Sequence, residues 1–202
     1  MAEFKQYTVD TNFFRYHAYN NGDTNLRRAA VHFWKTAKEE VEKGEAVILV
    51  PAEVKRELEV QSHILSDREN NKIQRLLANC QEISPSVSIK LEHHVRIMSA
   101  YLRANFRNAL GDFSIAYGGV SDSRILYSAY YEDSILVTAN VKDFMLYPFL
   151  FNQSEDRLYD LKQSQFVHIP EETYNLVWQD SGFQNMFLEL SKLEVELEDT
   201  DD

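Results

Sequence analysis

The chain has 202 residues, a formal net charge of −11 and an apolar content of 44%. This length fits one domain with a sizeable core, and the apolar content excludes a chain that is disordered throughout. No apolar run approaches the roughly 20 residues of a membrane-spanning helix, and the N-terminus lacks the pattern of a secretory signal, so no membrane association is expected. Cys80 is the single cysteine, which excludes an intramolecular disulfide and predicts a reducing, cytoplasmic environment.

The negative charge is distributed unevenly along the sequence. From residue 189 to residue 202, seven acids stand against Lys192 and give a net charge of −6. Between residues 55 and 107, nine bases stand against six acids and give +3. A chain this acidic does not attract nucleic-acid phosphates over its whole surface, so a basic surface is expected only in the middle of the chain.

The first 60 residues predict alternating strands and helices. Residues 6–9, QYTV, are typical of a β-strand, and this strand ends at Asp10. Apolar residues then recur every three or four positions over residues 26–41, which predicts an amphipathic helix. The run AVILV predicts a strand buried on both faces, and PAEVKRELEV, which begins at Pro51, predicts the next helix.

The middle of the chain predicts helices before the alternation resumes. Residues 66–79 and 91–106 carry apolar side chains at helical spacing, so an entirely helical insertion is expected at about residues 60–112. The segment VSDSRILYSAYYED then predicts a helix, and SILVT predicts a strand. The aromatic run over residues 144–151 is more typical of a core or a dimer surface than of a base-stacking platform.

The alternation of strands and helices predicts an α/β fold, a three-layer α/β/α sandwich with a central parallel sheet. Near the C-terminus, QFVHI predicts an edge strand, and a last helix is expected around Leu190. We predict one domain over residues 1–152 that includes the helical insertion. A C-terminal extension packed on that domain is expected over residues 153–188, and an acidic, disordered tail over residues 189–202.

Acidic and polar residues follow three of the predicted strands. Asp10 ends the first strand, the helix that carries Glu57 follows the second, and Thr138, Asn140 and Asp143 follow SILVT. In a parallel sheet the carboxyl ends of the strands meet at one edge, where the binding crevice lies. Carboxylates that share a crevice repel one another by roughly 4 kcal/mol per close pair at an effective dielectric constant of about 20, so a cation is expected among them.

Asp122 completes this group of acids. The donors are hard oxygens with no cysteine and no clustered histidine, which favours Mg²⁺ or Mn²⁺ over Zn²⁺. Such ions activate water and shield the charge that develops on a phosphodiester under attack. The predicted metal ligands and catalytic residues are Asp10, Glu57, Asp122 and Asp143.

Three segments resemble the PIN-domain nucleases. YTVDTNFF is similar to the opening strand of that family, with Asp10 as its first acid, and VPAEVKREL is similar to the second element, with Glu57 at the matching acid. The segment SDSRILYSAYYEDSILVTANVKDF keeps the family's spacing from the third acid, Asp122, to the ending Thr-x-Asn-x-x-Asp-Phe, whose acid is Asp143. The motifs span residues 10–144.

This resemblance implies an α/β/α sandwich with a central parallel sheet and Mg²⁺- or Mn²⁺-dependent cleavage of RNA, often by the toxin of a toxin–antitoxin pair. The expected partners are RNA, an antitoxin protein and a second copy of the chain. Three further residues are expected to contact the substrate or to support the acids: Asn12, Thr138 and Asn140. Five bases of the middle segment are the expected phosphate contacts: Arg56, Arg68, Arg96, Arg103 and Arg107.

Several alternatives stay open at the level of sequence. Glu53 lies one turn before Glu57 on the same helix face and could be the second acid. Asp112 is a rival third acid, although the spacing of the closing motif does not count from it. An aspartyl-nucleophile phosphohydrolase would want a second Asp two residues after Asp10, where Asn12 stands. A catalytically silent PIN fold that binds or scaffolds is a further alternative, although such a module would not need all four acids.

Other reactive side chains have simpler explanations. His93 and His94 are adjacent, so on a helix they point about 100° apart and do not share a zinc ion easily. Cys80 has no neighbouring cysteine or histidine and is expected to be a small buried residue. Asp10 alone is typical of a turn or cap, and Asp122 could cap the helix that it begins while it also binds metal.

Overall fold

The computed structural model describes residues 4–19, 23–111 and 115–198. Within these residues the chain forms six strands and eight α-helices. The strands are β1 Lys5–Val9, β2 Ala46–Pro51, β3 Gln81–Ile83, β4 Ile135–Thr138, β5 Leu158–Asp160 and β6 Gln165–Phe166. The helices are α1 Thr11–Ala18, α2 Thr24–Glu42, α3 Ala52–Gln61, α4 Asp67–Leu77, α5 Ile89–Phe106, α6 Val120–Tyr131, α7 Glu171–Trp178 and α8 Ser181–Glu198.

The strands form one sheet in the order β3-β2-β1-β4-β5-β6. The first five strands are parallel to their neighbours, and β6 runs antiparallel to β5 at the edge. From β1 the chain builds the sheet outward to β2 and β3, then returns to the other side of β1 for β4 and β5. The strand order therefore reverses between β1 and β4, and a crevice is expected outside the carboxyl ends of these two strands.

Helices cover both faces of the sheet and complete the predicted three-layer α/β/α sandwich. One group consists of α1, α2 and α4, in which α1 packs against both of the others, and Phe33 of α2 contacts Tyr7 of β1 and Tyr159 of β5. A second group consists of α5, α6, α7 and α8. Helix α3 contacts α1 and α6, so it lies where the two groups approach each other. No helix in the described part of the chain combines the length and the apolar character needed to cross a bilayer.

The alternating elements of the sequence formed as predicted, because their local signals agree with their burial. Helix α2 begins after Asp23, whose side chain accepts hydrogen bonds from the backbone N–H groups of Asn25 and Leu26. It ends just before Gly44, which has a positive φ of 72° that favours glycine. The run AVILV lies in β2, where Ile48, Leu49 and Val50 are buried on both faces of the sheet.

The prediction of an entirely helical segment over residues 60–112 was wrong. Helices α4 and α5 lie in this range, but β3 stands between them and pairs in parallel with β2. This strand has only three residues, and only Ile83 among them is buried, so no alternating apolar pattern marks it. It extends the central sheet by one strand, and the surrounding helices are parts of the sandwich layers.

Other differences lie near the ends of the chain. Helix α1, which follows β1 without a loop, was not predicted, and neither were β5 and α7. The predicted edge strand QFVHI is present as β6 and is shorter than expected. The predicted disordered tail begins at residue 189, whereas α8 continues to Glu198 because Leu190 is buried and Leu193 packs on the core.

The aromatic run over residues 144–151 belongs to the core, as predicted. Phe144, Tyr147 and Phe149 are at most 1% exposed. The Tyr147 hydroxyl donates a hydrogen bond of 2.7 Å to the backbone carbonyl of Ser134, just before β4. This contact satisfies the one polar atom of a side chain that is otherwise surrounded by apolar groups.

Tyr147→Phe is expected to lower the free energy of unfolding by about 1 kcal/mol, because the buried carbonyl loses its hydroxyl donor while the ring packing is kept. Urea denaturation followed by tryptophan fluorescence measures the change. Tyr131→Phe is the matched control, since this tyrosine is 54% exposed and the loss of its hydroxyl should change little. Equal effects of the two substitutions would contradict the assigned role of the Tyr147 hydroxyl.

Candidate functional site

Asp10 lies at the carboxyl end of β1, next to β4, where the strand order reverses. Its side chain is the N-cap of α1 and accepts a hydrogen bond from the backbone N–H of Phe13 at 3.1 Å. Its backbone N–H donates to the carbonyl of Val137 in β4 at 3.2 Å. The residue is therefore a helix cap as well as a strand end, and the main chain fixes its position from both sides.

Burial dominates the electrostatics of Asp10. The residue is 2% exposed, and burial raises the pKa of its carboxyl group to about 6. Hydrogen bonds from Thr138, Phe13 and the backbone of Asn12 lower the pKa, and the charge of Asp122 raises it again. No Lys or Arg of the described residues forms an ion pair with Asp10. The fold therefore holds a buried carboxylate whose charge no neighbouring side chain neutralises.

Thr138 joins the ends of the two central strands. It is fully buried at the end of β4, and its hydroxyl donates to Asp10 Oδ2 at 2.5 Å. The same hydroxyl accepts from the backbone N–H of Asn140 at 2.9 Å. Thr138 therefore supports the ionised form of Asp10 and shapes the turn that leads to Asp143.

Thr138→Val is expected to shift the acidic limb of any activity that needs ionised Asp10 to higher pH by about one unit. The reason is that the lost hydrogen bond to the carboxylate raises the pKa of Asp10 further. A pH–rate profile of the RNA cleavage proposed below measures the shift. Thr173→Val is the matched control, because this buried threonine donates to the Ala109 carbonyl and lies away from the site. An unshifted acidic limb would mean that the Thr138 hydroxyl does not act on Asp10.

Asp122 and Asp143 come from two other segments, and the charge of Asp122 acts on both Asp10 and Asp143. Asp122 is at the third position of α6, and its Oδ2 accepts from the backbone N–H of Gly119 at 3.0 Å. A Cβ at residue 119 would lie 2.9 Å from that oxygen, so a side chain there would displace the Asp122 carboxylate. Asp143 is half-buried, and Asn140 Nδ2 donates to its Oδ2. Burial, followed by the negative charge of Asp122, raises the pKa of Asp143.

Glu57 of α3 is connected to the end of β1 by a contact with the first residue of α1. Its Oε2 accepts a hydrogen bond from the hydroxyl of Thr11, the residue directly after Asp10. Glu57 is half-buried on α3, and it forms no ion pair with the described residues. The structure therefore connects the second predicted acid to the first through one intervening side chain.

Glu53, the alternative second acid, is held by cations instead. Its carboxylate accepts from Ser121 Oγ and from Arg56 Nη2, both at 2.6 Å, and lies 3.4 Å from Arg124 Nη1. Burial alone would raise the pKa of Glu53, but the hydrogen bonds from Ser121 and Arg56 and the charges of both arginines outweigh it and lower the pKa. Arg124 also binds Glu92 at 2.8 Å, so Glu53 belongs to a network that joins α3, α5 and α6.

The four acids are a set of oxygen donors of the kind that binds a hard divalent metal ion. Within the described ranges, no three His, Cys, Asp or Glu side chains are grouped closely enough to hold one ion as they stand. The chemistry of the set nevertheless fits a hard divalent cation. Asp122 raises the pKa of both Asp10 and Asp143, and these three acids form no ion pair in the described part of the chain, although the charge of Lys142 partly lowers the pKa of Asp143. The candidate ligands for Mg²⁺ or Mn²⁺ are therefore Asp10, Asp122 and Asp143, together with Glu57, which contacts Thr11 directly after Asp10 in the sequence.

Other residues that the sequence singled out are distributed over the molecule. Asn12 acts on Asp10 through its backbone N–H. His93 is exposed and His94 Nε2 lies 2.7 Å from the Met186 carbonyl, so the two rings do not share a site. Cys80 is half-buried against the core, and burial raises the pKa of its thiol to about 12. Asp112 lies outside the described residues.

The five arginines expected to contact phosphates have different environments. Arg56 and Arg96 each form an ion pair with a glutamate of their own helix. The guanidinium carbon of Arg103 lies 4.2 Å from the centre of a tyrosine ring. Arg68 and Arg107 have no ion pair with any described residue. The middle segment therefore does not present its bases as one basic surface.

The sequence reasoning missed two residues of the site. Thr11 donates a hydrogen bond to Glu57, and Arg124 forms an ion pair with Glu53. A threonine beside an acid at a strand end was a visible signal for Thr11. Arg124 had no local signal, because its partners are 32 and 71 residues away in the sequence.

Comparisons with known proteins add little to this description. No protein-family model matches the chain, and no curated protein matches it. Among solved structures, it is similar to the crystal structure of VapBC2 from Rickettsia felis bound to a DNA fragment from their promoter. The sequence identity is 20%, the TM-score is 0.47, and the match covers 69% of this chain and 91% of that chain. A likeness at this level assigns no residue and no activity to this chain.

Proposed function

We propose that this protein is a Mg²⁺- or Mn²⁺-dependent endoribonuclease whose acids are Asp10, Glu57, Asp122 and Asp143. The observation that carries the proposal is the environment of Asp10. A carboxylate that is 2% exposed, lies at the reversal of strand order and lacks a cationic partner among the described residues is costly unless a cation binds there. The resemblance of the three sequence motifs to PIN nucleases supports RNA as the substrate.

Each residue of the site has a distinct task in this proposal. A bound Mg²⁺ or Mn²⁺ supplies the positive charge that activates water and shields the developing negative charge on the phosphodiester. Thr138 keeps Asp10 in its ionised form, and Asn140 orients the carboxylate of Asp143. The backbone N–H of Gly119 orients Asp122 in the same way. Because these donors are already in place, little reorganisation is needed when the substrate arrives.

The proposal extends to partners through the same resemblance. A toxin of this kind would be neutralised by an antitoxin protein, and a second copy of the chain could form a homodimer. A neighbouring open reading frame that encodes a small DNA-binding protein would supply the antitoxin for co-expression. Size-exclusion chromatography of the chain alone, and then with that protein, tests both assemblies.

The direct test is incubation of the purified protein with total RNA and Mn²⁺, with and without a chelator. We expect discrete RNA fragments that disappear with the chelator and with Asp143→Asn. Cleavage that persists in excess chelator would reject the metal-dependent mechanism. RNA binding without any cleavage in Mn²⁺ or Mg²⁺ would instead favour the catalytically silent binding module.

A further inference from the structure

A polar cavity outside the acidic site lies between α1, α2 and α4. Its volume is about 560 Å³, and it is lined by Ala18, Arg27, Arg68, Asn71, Lys72 and Arg75. We call it the cationic pocket. Four of its six lining residues are bases, in a chain that has 32 acids and 21 lysines and arginines.

The bases of the cationic pocket are not balanced by acids. Other bases near the sheet are paired, as Arg124 is with Glu92 and Arg157 is with Glu155. None of the four pocket bases forms an ion pair with a described residue, and no acid is among the described residues that line the pocket. Four bases without an ion pair among the described residues therefore surround one cavity.

Helix α4 is built to place its bases on one side. Arg68, Lys72 and Arg75 are spaced by four and three residues, so they lie on one helix face. Glu69 is next to Arg68 in the sequence, but its Oε2 accepts hydrogen bonds from the backbone N–H and the hydroxyl of Ser66. Glu69 thus completes the capping box of α4, and Asp67, the other acid of this turn, forms no ion pair with a described residue.

Lys72 is anchored in the pocket by a backbone contact. Its ammonium group donates to the carbonyl of His17 in α1 at 2.6 Å, which fixes the charge at the junction of α1 and α4. Burial, and then the charges of Arg27 and Arg68, lower the pKa of Lys72. Like charges that oppose one another at a fixed site are relieved when an anion binds between them.

His17, whose carbonyl accepts the hydrogen bond from Lys72, has a neutral side chain. It is 7% exposed, its Nδ1 atom has no hydrogen-bond partner among the described atoms, and burial followed by the charges of Lys72 and Arg27 lowers its pKa to about 4. The ring is therefore neutral at physiological pH. His17 therefore adds no further positive charge to the bases of the cationic pocket, which leaves their charge available to an anionic ligand.

The position of the pocket relates it to the acidic site. Helix α1 begins after Asp10 and ends at Ala18, a pocket residue, and its eight residues span about 12 Å along the helix axis. Arginine and lysine side chains that converge on one cavity are the usual ligands of phosphate groups. A phosphate-bearing strand could therefore occupy the pocket and the acidic site at the same time.

We propose that the cationic pocket binds a backbone phosphate of the RNA strand whose cleavage takes place at Asp10, Glu57, Asp122 and Asp143. This inference rests on the proposed function and adds a second contact point for the substrate. The contact at Arg27, Arg68, Lys72 and Arg75 anchors the strand away from the scissile bond. It is independent of base identity, because the pocket reads phosphate charge alone.

The test compares two double variants with equal loss of charge. Arg68→Gln/Lys72→Gln removes two pocket bases, and Arg28→Gln/Lys90→Gln removes two exposed bases that do not line the pocket. Binding of a short single-stranded RNA is measured by fluorescence anisotropy in chelator, which prevents cleavage, over a series of salt concentrations. Binding of inorganic pyrophosphate is measured separately by calorimetry, and circular dichroism confirms that each variant is folded.

The pocket variant is expected to bind RNA about tenfold more weakly, which corresponds to the loss of one charge-assisted hydrogen bond. The slope of log affinity against log salt should fall by about 1, and pyrophosphate binding should be lost. The surface variant should stay within about twofold of the parent in affinity. An equal loss in both variants, or an unchanged salt slope in the pocket variant, overturns the inference.

The pyrophosphate measurement separates this inference from the ribonuclease proposal. If the parent binds and cleaves RNA but the pocket variant keeps full RNA affinity, the pocket inference fails and the ribonuclease proposal stands. If the parent binds pyrophosphate through Arg68 and Lys72 but does not bind RNA, the pocket serves free phosphate compounds. In that case both the RNA contact and the ribonuclease proposal are overturned.

Discussion

Asp10→Asn is expected to abolish Mn²⁺-dependent RNA cleavage and to stabilise the metal-free protein at pH 7 by on the order of 1 to 2 kcal/mol. The loss of cleavage follows from the removal of the central carboxylate of the site. The gain in stability follows from burial, since a neutral amide at this position no longer carries a desolvated charge next to Asp122. Asparagine is also as good an N-cap as aspartate, so α1 keeps its first turn.

The pH dependence of this effect has a defined sign. Burial raises the pKa of Asp10 from 3.8 to about 6, so the folded protein holds its proton more tightly than the unfolded chain does. The stability that this proton provides is complete below about pH 4 and is lost as the pH rises through about 6, to a total of at most about 3 kcal/mol. The parent should therefore lose stability over this range in chelator, and Asp10→Asn should lose less.

The measurement is thermal and urea unfolding of both proteins between pH 4 and pH 8, in chelator and then in Mn²⁺. Saturating metal at 100 times its dissociation constant stabilises a folded protein by about 3 kcal/mol, and this gain should shrink in Asp10→Asn. Asp23→Asn is the matched control, because Asp23 is likewise an N-cap aspartate but is exposed at the start of α2. A variant at Asp10 that melts lower in chelator, gains as much from Mn²⁺ as the parent and still cuts RNA would end the catalytic assignment.

The sequence predicted those elements whose local signals and tertiary environment agree. Strand β2 is continuous apolar sequence because both faces of the sheet are covered, and α2 carries its stop signal in Gly44. Strand β3 carries no such signal, since its pairing with β2 is made by backbone groups whatever the side chains are. Short strands of this kind depend on tertiary context, and a single-sequence pattern does not reveal them.

The candidate site likewise has features that local sequence signals predict and features that depend on tertiary contacts. The ends of β1 and β4 were predicted to meet, and the structure joins them through the hydrogen bond from Thr138 to Asp10. The choice between Glu53 and Glu57 was not open to sequence reasoning, because both lie on one face of α3. Arg124, whose charge separates their environments, comes from a distant helix. The spacing of residues along the sequence shows which side chains share one face of a helix. The partners of those side chains depend on how several helices pack together.

Glu57→Gln and Glu53→Gln are expected to have opposite consequences. Glu57→Gln should lower the rate of Mn²⁺-dependent cleavage on the order of a hundredfold and leave the stability within about 0.5 kcal/mol, because Glu57 bonds only to Thr11 and has no described cationic partner. Glu53→Gln should lower the free energy of unfolding by about 1 to 3 kcal/mol. Its carboxylate is 8% exposed and holds two arginines, which would lose their counter-charge.

The stability loss at Glu53 should be greatest at neutral pH. The pKa of Glu53 in the folded protein lies below its ordinary value, so its ion pairs stabilise the fold above that value and are lost as the pH falls through the folded pKa. Urea unfolding at pH 7 and at pH 3 measures the difference between parent and variant, which should shrink at the lower pH. Single-turnover cleavage at pH 7 and saturating RNA then reports the chemistry separately from stability.

The two variants control each other, because they make the same substitution one turn apart on α3. If Glu53→Gln abolishes cleavage while its folded fraction and RNA affinity stay unchanged, Glu53 is the second acid and the assignment of Glu57 is wrong. If Glu57→Gln cleaves as fast as the parent at every Mn²⁺ concentration, the site works with Asp10, Asp122 and Asp143 alone. A shift of the Mn²⁺ concentration for half-maximal cleavage in Glu57→Gln, without any change in Glu53→Gln, is the result expected if Thr11 positions Glu57 as a metal ligand.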